Sequence, residues 1–308
     1  MKKSLVYRTM EKAVSLFGHK RIYSLDTPHL NEYIEKTAPK RRSAPPKFLY
    51  SRVRIETKTI ANRSCYVLSP KGTPAKNGPA VLFLHGGGMF LEANLLHWNA
   101  AAKLAEYYGA TVWFPVYPLL PDSDMRRATK AVLAAYREML QQHPASTIRV
   151  WGDSIGAALA IMMCFSGLEQ DSSFVMPAKL VLLSPGMVSV ADESLVKDIQ
   201  TLELSDPIFC TSFLYSMSEI MNLTCDSNDY FSWPFAGDFS RFPPIEVFSG
   251  THEIFFAQMQ KFMEQAKKTG ASIRLHVGDG MMHDWPLMPL SRECRDALST
   301  VFDLLTQS

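Results

Sequence analysis

The sequence predicts an α/β fold in which a mostly parallel central sheet is flanked by helices and carries a small helical cap. Three observations predict it. Six short, continuous apolar segments recur between residues 80 and 277, helix-length segments separate most of them, and two further strand-like segments precede the series at 53–60 and 64–70. Strands that are apolar on both faces belong in a sheet covered on both sides, and helical connections between such strands make them parallel.

Along the chain, residues 4–17 and 29–36 space their apolar positions as short amphipathic helices. A Pro- and Lys/Arg-rich run to Lys47 then reads as a solvated linker, so residues 1–51 are expected to form an N-terminal helical cap segment and linker. The main α/β domain is expected to span 52–308. "VRIETKTI" (53–60) alternates as an exposed strand does, and "SCYVLSP" (64–70) is a second strand with a Lys-Gly-Thr-Pro turn after it. The core strands follow as "AVLFLH" (80–85), "ATVWFPVY" (110–117), "TIRVWG" (147–152), "AKLVLLS" (178–184), "PIEVFSG" (244–250) and "SIRLHV" (272–277). Residues 187–242, rich in Ser, Asp and aromatics, contain helical segments but no clear core strand. They read as a cap-side insertion over the strand ends. No internal repeat or low-complexity tract is evident.

Composition narrows the function. The 308 residues are 47% hydrophobic and 20% charged, the balance of a soluble globular protein with a large core. Net charge is only +2, and the basic residues gather at Lys36 to Lys47, which argues against a nucleic-acid surface. The five cysteines, Cys65, Cys164, Cys210, Cys225 and Cys294, are odd in number and include no CxxC pair. Neither a disulfide framework nor a zinc site is indicated, and a reducing compartment fits. Arg8, Glu11 and Lys12 interrupt the N-terminal apolar residues, so no signal-peptide h-region is present, and no stretch approaches the roughly 18 apolar residues of a membrane span. A cytoplasmic location is expected.

The chemistry is concentrated in "RVWGDSIGAALAIMMCF", where an apolar strand ends at Gly152 and a small-residue helix starts after Ser154. Gly152-Asp153-Ser154-Ile155-Gly156 places a serine at the tip of a sharp strand-to-helix turn, with glycines two residues either side to relieve the crowding. Gly86 to Gly88 follow an upstream strand and present bare backbone, as N–H donors to a developing oxyanion require. They fit neither GxGxxG nor a P-loop. A serine nucleophile needs a histidine base and an acid to orient it, in the chain order Ser, acid, His. His252, His276 and His283 lie late enough. His276 falls inside a strand and His252 directly precedes the candidate acid, whereas His283 follows a glycine-bearing loop after the last strand. Glu253 lies just beyond the C-terminal end of a core strand, the edge where functional groups collect in open parallel sheets. Asp229, Asp238 and Asp279 compete with it, and Asp284 is too close in sequence to His283 to orient it comfortably.

Together these residues resemble the hormone-sensitive-lipase-like branch of the α/β-hydrolase superfamily. His85-Gly86-Gly87-Gly88 is similar to its HGGG element, Gly152 to Gly156 to its GDSAG elbow, Gly250-Thr251-His252-Glu253 to its G-x-x-D acid turn and His283 to its histidine loop, over roughly residues 79 to 290. Tyr117-Pro118-Leu119-Leu120-Pro121-Asp122 departs from the usual Y-R-L-A-P-E, Ile155 and Ala157 replace smaller elbow residues, and Glu253 replaces the commoner aspartate. The resemblance implies an α/β-hydrolase fold and a carboxylic ester hydrolase with no metal or organic cofactor. It also implies that Gly87, Gly88 and Ile155 donate the oxyanion N–H groups and that the N-terminal segment forms a cap.

The expectation is therefore a serine esterase for small to medium acyl esters with Ser154, Glu253 and His283 as catalytic residues. His85 and Asp153 are expected to support the local geometry. Phe90, Met282 and Trp285 are candidate substrate-binding residues, with Trp98 and Met281 as further pocket candidates. The expected partner is a small-molecule ester, without nucleic acid or integral membrane association, and a homodimer is a compatible assembly. An amide or formamide hydrolase on the same triad is the alternative, and a non-catalytic receptor in the same fold is a third reading.

Overall fold

The computed structural model of the chain describes residues 3–17, 20–72, 78–187, 193–223 and 229–307. It opens with α1 (Leu5–Phe17), α2 (Lys20–Tyr23) and α3 (Thr27–Thr37), the last capped by Asp26. The short α2 is a single turn, too brief to leave a periodic signal in sequence. Then come β1 (Arg54–Ile60), β2 (Arg63–Ser69), β3 (Ala80–Leu84), α4 (Leu95–Tyr108), β4 (Thr111–Pro115), α5 (Met125–Leu140), β5 (Ile148–Asp153) and α6 (Ile155–Gln170). The chain continues through β6 (Lys179–Leu183), α7 (Val196–Glu203), α8 (Thr211–Ile220), β7 (Ile245–Gly250), α9 (Phe256–Lys268), β8 (Ile273–Gly278) and α10 (Arg292–Thr306).

Among the described residues the eight strands form one sheet in the order β1-β2-β4-β3-β5-β6-β7-β8. β1, β2 and β4 pair antiparallel at one side, and β4 through β8 are parallel. Strand interiors alternate between two cores. Leu82, Leu84, Val150, Leu180, Leu182 and Val247 face α5, α6, α8 and α9, while Val81, Phe83, Trp151, Val181, Leu183 and Phe248 face α1, α4 and α10. Burial on both faces is why these strands read as continuous apolar runs. On the second face Phe83 stacks on Trp151, with centroids 3.8 Å apart.

The register brings the strand ends together. Leu84 pairs with Gly152, Asp153 with Leu183 and Gly250 with Gly278, so the loops after β3, β5, β6, β7 and β8 meet at one edge of the sheet. The basic run before β1 is docked on the domain. Arg41 Nη1 donates to Leu120 O, and Tyr66 Oη donates to Ser43 O, which holds this run against the sheet instead of leaving it a free linker. Among the described residues no helix is long and apolar enough to cross a membrane. Cys65, Cys164, Cys210 and Cys294 are buried thiols, and Cys225 lies outside the described residues, as do 188–192 and 224–228 of the predicted insertion.

Candidate active site

β5 passes directly into α6 through Ser154, whose backbone (φ 53°, ψ −123°) is strained for a residue with a side chain. The turn is held by Ser154 N–H donating to Leu183 O at 2.8 Å, and by α6 starting hard against β3. A Cβ on Gly156 would lie 2.1 Å from Leu84 O, so only glycine fits there. Ser154 makes no side-chain cap to α6. Its Oγ instead lies 2.9 Å from His283 Nε2.

His283 Nδ1 lies 2.5 Å from Glu253 Oε2, completing the Ser-His-acid line predicted from the three loops. Glu253 is fully buried, and its other oxygen accepts from Ser249 Oγ at 2.5 Å, Gly250 N–H at 2.8 Å and Ser184 Oγ at 3.0 Å. Burial pulls the His283 imidazole down, but the carboxylates of Asp284 and Glu253 outweigh it and hold the group well above its ordinary value. The competing residues have other partners. His252 Nδ1 contacts Lys3 and Glu11, His276 Nε2 lies 2.6 Å from Glu246 Oε2, Asp229 accepts from Arg126, and Asp238 accepts from Ser240 N–H. Asp284 reaches the imidazole after all, from the opposite side, with Oδ2 3.2 Å from Nε2.

The glycine loop is tied to the elbow through Asp153, whose Oδ2 accepts from Gly86 N–H at 2.8 Å and contacts His97 Nε2 at 3.0 Å. Burial pulls His85 down to about 4, so it is neutral at pH 7. Its Nδ1 lies 2.6 Å from Gly86 O, and its own carbonyl accepts from Tyr117 Oη at 2.5 Å. Gly87 and Gly88 both have positive φ (122° and 59°), and the Gly87 carbonyl accepts from Phe90 and Leu91 N–H. In a trans peptide the N–H points opposite the carbonyl, so Gly88 N–H is turned away from those donors. Ile155 N–H opens α6 and has no acceptor within the helix. All three residues line the cavity at Ser154.

That cavity has a volume of about 480 Å³ and a mostly apolar wall, to which Val14, Tyr23, Phe209, Phe213, Phe255 and Met288 contribute. Phe90, Met282 and Trp285 are not in it. Phe90 is fully buried behind the wall, edge-on to Tyr23, and Met282 and Trp285 pack in the core on the α1 and α10 side of the sheet, with Trp98 and Met281. These five residues, next to the motifs in sequence, turn inward because each loop has its own core to close. Part of the wall comes from α1, α2, α8 and the loop at 206–209, segments distant in sequence that carry no motif, and part from Leu91, Ile155, Phe255 and Met288 near the motifs. Asp206 organises that loop by accepting from the N–H groups of Ile208, Phe209 and Ile254 at 2.8 to 2.9 Å. Burial pushes its carboxyl up to about 6 against those bonds. Among the described residues no group of three or more His, Cys, Asp or Glu is placed to hold a metal ion.

A family described as having the alpha/beta hydrolase fold matches residues 81–287. An acetyl-hydrolase of Streptomyces hygroscopicus is 28% identical over 71% of this chain and 74% of its own length, and an esterase of Acinetobacter venetianus is 24% identical over 73% and 74%. Among solved structures, an esterase of the bacterial hormone-sensitive lipase family superposes with a TM-score of 0.76 at 20% identity, over 99% of this chain and 98% of that one. The elbow, the glycine loop and the Ser-His-Glu line all fall at the strand ends of the matched region, and the chain belongs to the α/β-hydrolase family, in its hormone-sensitive-lipase-like branch.

Proposed function

We propose that this chain is a serine carboxylic ester hydrolase that cleaves small to medium acyl esters through an acyl-enzyme. The observation that carries the reading is the continuous contact from Ser154 Oγ through His283 to Glu253, at 2.9 and 2.5 Å. Ser154 attacks the ester carbonyl carbon while His283 Nε2 takes its proton. Negative charge moves to the former carbonyl oxygen, where N–H groups of Gly87, Gly88 and Ile155 meet it, each worth about 3 kcal/mol of barrier. His283 then returns the proton to the departing alcohol. Water repeats the sequence on the acyl carbon, and Glu253 keeps the imidazole in the productive tautomer and stabilises its charged form.

Relatives named acetyl-hydrolase and esterase support an ester substrate. The cavity of about 480 Å³, walled by Tyr23, Phe209 and Phe213, supports a short to medium acyl chain. The test is hydrolysis of p-nitrophenyl esters from acetate to decanoate by the wild type and Ser154→Ala. Turnover that peaks at short to medium chains and falls by about 10³-fold or more in the variant is expected. Equal rates in both proteins would refute the serine mechanism.

A further inference from the structure

Asp284 takes no part in the steps above, yet its carboxylate stands at the reacting atoms. It lines the cavity with Ser154 and His283. Its Oδ2 is 3.2 Å from His283 Nε2, the nitrogen that must accept the serine proton, and its Oδ1 is buried with no hydrogen-bond partner among the described residues. The backbone makes this contact. Asp284 is left-handed (φ 51°, ψ 29°), and its N–H donates to Ser184 Oγ at 3.0 Å. The same hydroxyl donates to Glu253 Oε1 at 3.0 Å, so one serine ties the Asp284 backbone to the Glu253 carboxylate, and the two acidic side chains flank the imidazole, Glu253 at Nδ1 and Asp284 at Nε2.

An ionised carboxylate oxygen and an unprotonated ring nitrogen both present lone pairs, and at this separation in a buried site they repel. A proton on Nε2 turns that repulsion into an ion pair. With Nε2 protonated, its N–H faces Ser154 Oγ as a donor, and the serine has no base. We propose that Asp284 is a positioning residue that keeps a proton on Nε2 of His283 in the resting molecule, so that Ser154 gains its base only when that proton leaves. The inference rests on the serine-hydrolase reading of the same site.

The surroundings favour the charged imidazole. Burial opposes it, but Asp284 and Glu253 outweigh burial, and Asp206 adds a further acidic group from the 206–209 loop. Asp284 itself is pushed up to about 6 by burial against the pull of His283, with Asp153 and Glu253 adding to the rise. Among the described residues the other titratable neighbours are Glu92, which lines the same cavity, His97, which contacts Asp153, and the buried phenols of Tyr23, near Asp284, and Tyr7, near Glu253. Among the described residues no Lys or Arg lines the cavity. From about pH 6 up to the raised His283 value the pair is imidazolium and carboxylate, and the base is occupied. Above that value the proton is lost. Reactivity therefore rises with pH through the His283 titration, and removing the Asp284 charge moves that rise to lower pH.

The experiment is the rate of Ser154 labelling by an alkyl fluorophosphonate from pH 5 to 10 in the wild type, Asp284→Asn and Asp284→Glu, with Ser154→Ala as the blank. The probe reads the nucleophile directly, whatever the ester preference. The acid limb of Asp284→Asn is expected about one unit lower, which is about tenfold faster labelling at pH 6, and Asp284→Glu returns the limb toward the wild type. Coincident limbs in wild type and Asp284→Asn overturn the proposal, as does slower labelling at every pH with the limb unmoved. Should the amide variant not fold, low-field proton NMR of the wild type decides. Two imidazole N–H resonances at pH 6, falling to one above the limb, are expected, and a single one at pH 6 overturns the proposal. A wild type that labels no faster than Ser154→Ala at any pH removes the serine-hydrolase reading itself, and this proposal with it.

Discussion

Glu253 carries one methylene more than the aspartate common at this turn, and the extra length is used twice. One oxygen is anchored by Ser184, Ser249 and the Gly250 N–H, which leaves the other to meet His283. Glu253→Asp withdraws the carboxylate by about one C–C bond, roughly 1.5 Å. A misplacement of that size is expected to lower kcat about 100-fold with little change in KM, read from steady-state kinetics on a short p-nitrophenyl ester. An unchanged kcat would show that the acid does not orient the base. Ser154, Glu253 and His283 were legible because each follows a recognisable strand in a short loop. Ser184 and Asp284 were not, because their contacts depend on positive φ at both residues, and nothing in a serine or aspartate announces a left-handed backbone.

At the scale of elements, α1 is bound to the loop that carries His283. Tyr7 is fully buried and its Oη accepts from Met282 N–H at 2.7 Å, one residue before His283. Lys3 bridges Glu11 and His252, and Ser4 N–H donates to Glu293. Tyr7→Phe leaves the Met282 N–H buried without an acceptor, a cost of about 1 to 3 kcal/mol. A lower Tm together with a lower kcat is expected in thermal unfolding and ester turnover, and a variant with both unchanged would show that α1 merely rests on the domain. The core strands β3 to β7 were readable from their apolar runs, since burial on both faces leaves no polar alternation to obscure them, and β1, exposed or half-buried along its length, was readable from its alternation. The docking of α1 was not. An amphipathic stripe shows that a helix has a buried face, but it does not name the loop that face will cover.

Over the whole molecule, the fold divides the labour between the sheet edge, which holds Ser154, His283 and Glu253, and helices that close the space above them. Tyr23 of α2, Phe213 of α8 and Phe209 pack ring against ring, with centroids 4.6 to 5.3 Å apart, and they form one side of the cavity. Phe213→Ala removes the middle of that cluster and should move the preferred acyl length upward in the p-nitrophenyl series, at a stability cost of about 3 to 5 kcal/mol. An unchanged chain-length profile would place the acyl group elsewhere. This wall escaped sequence reading because it joins residues almost 200 positions apart, whereas Phe90, Met282 and Trp285, adjacent to the motifs, serve the core. The role of Ser154 remains the point on which everything else depends, and titration with diethyl p-nitrophenyl phosphate tests it most directly. Release of one p-nitrophenol per chain, loss of ester turnover in step and a diethylphosphoryl mass on the peptide holding Ser154 are expected. A modified residue other than Ser154, or turnover that survives full modification of Ser154, would contradict the mechanism.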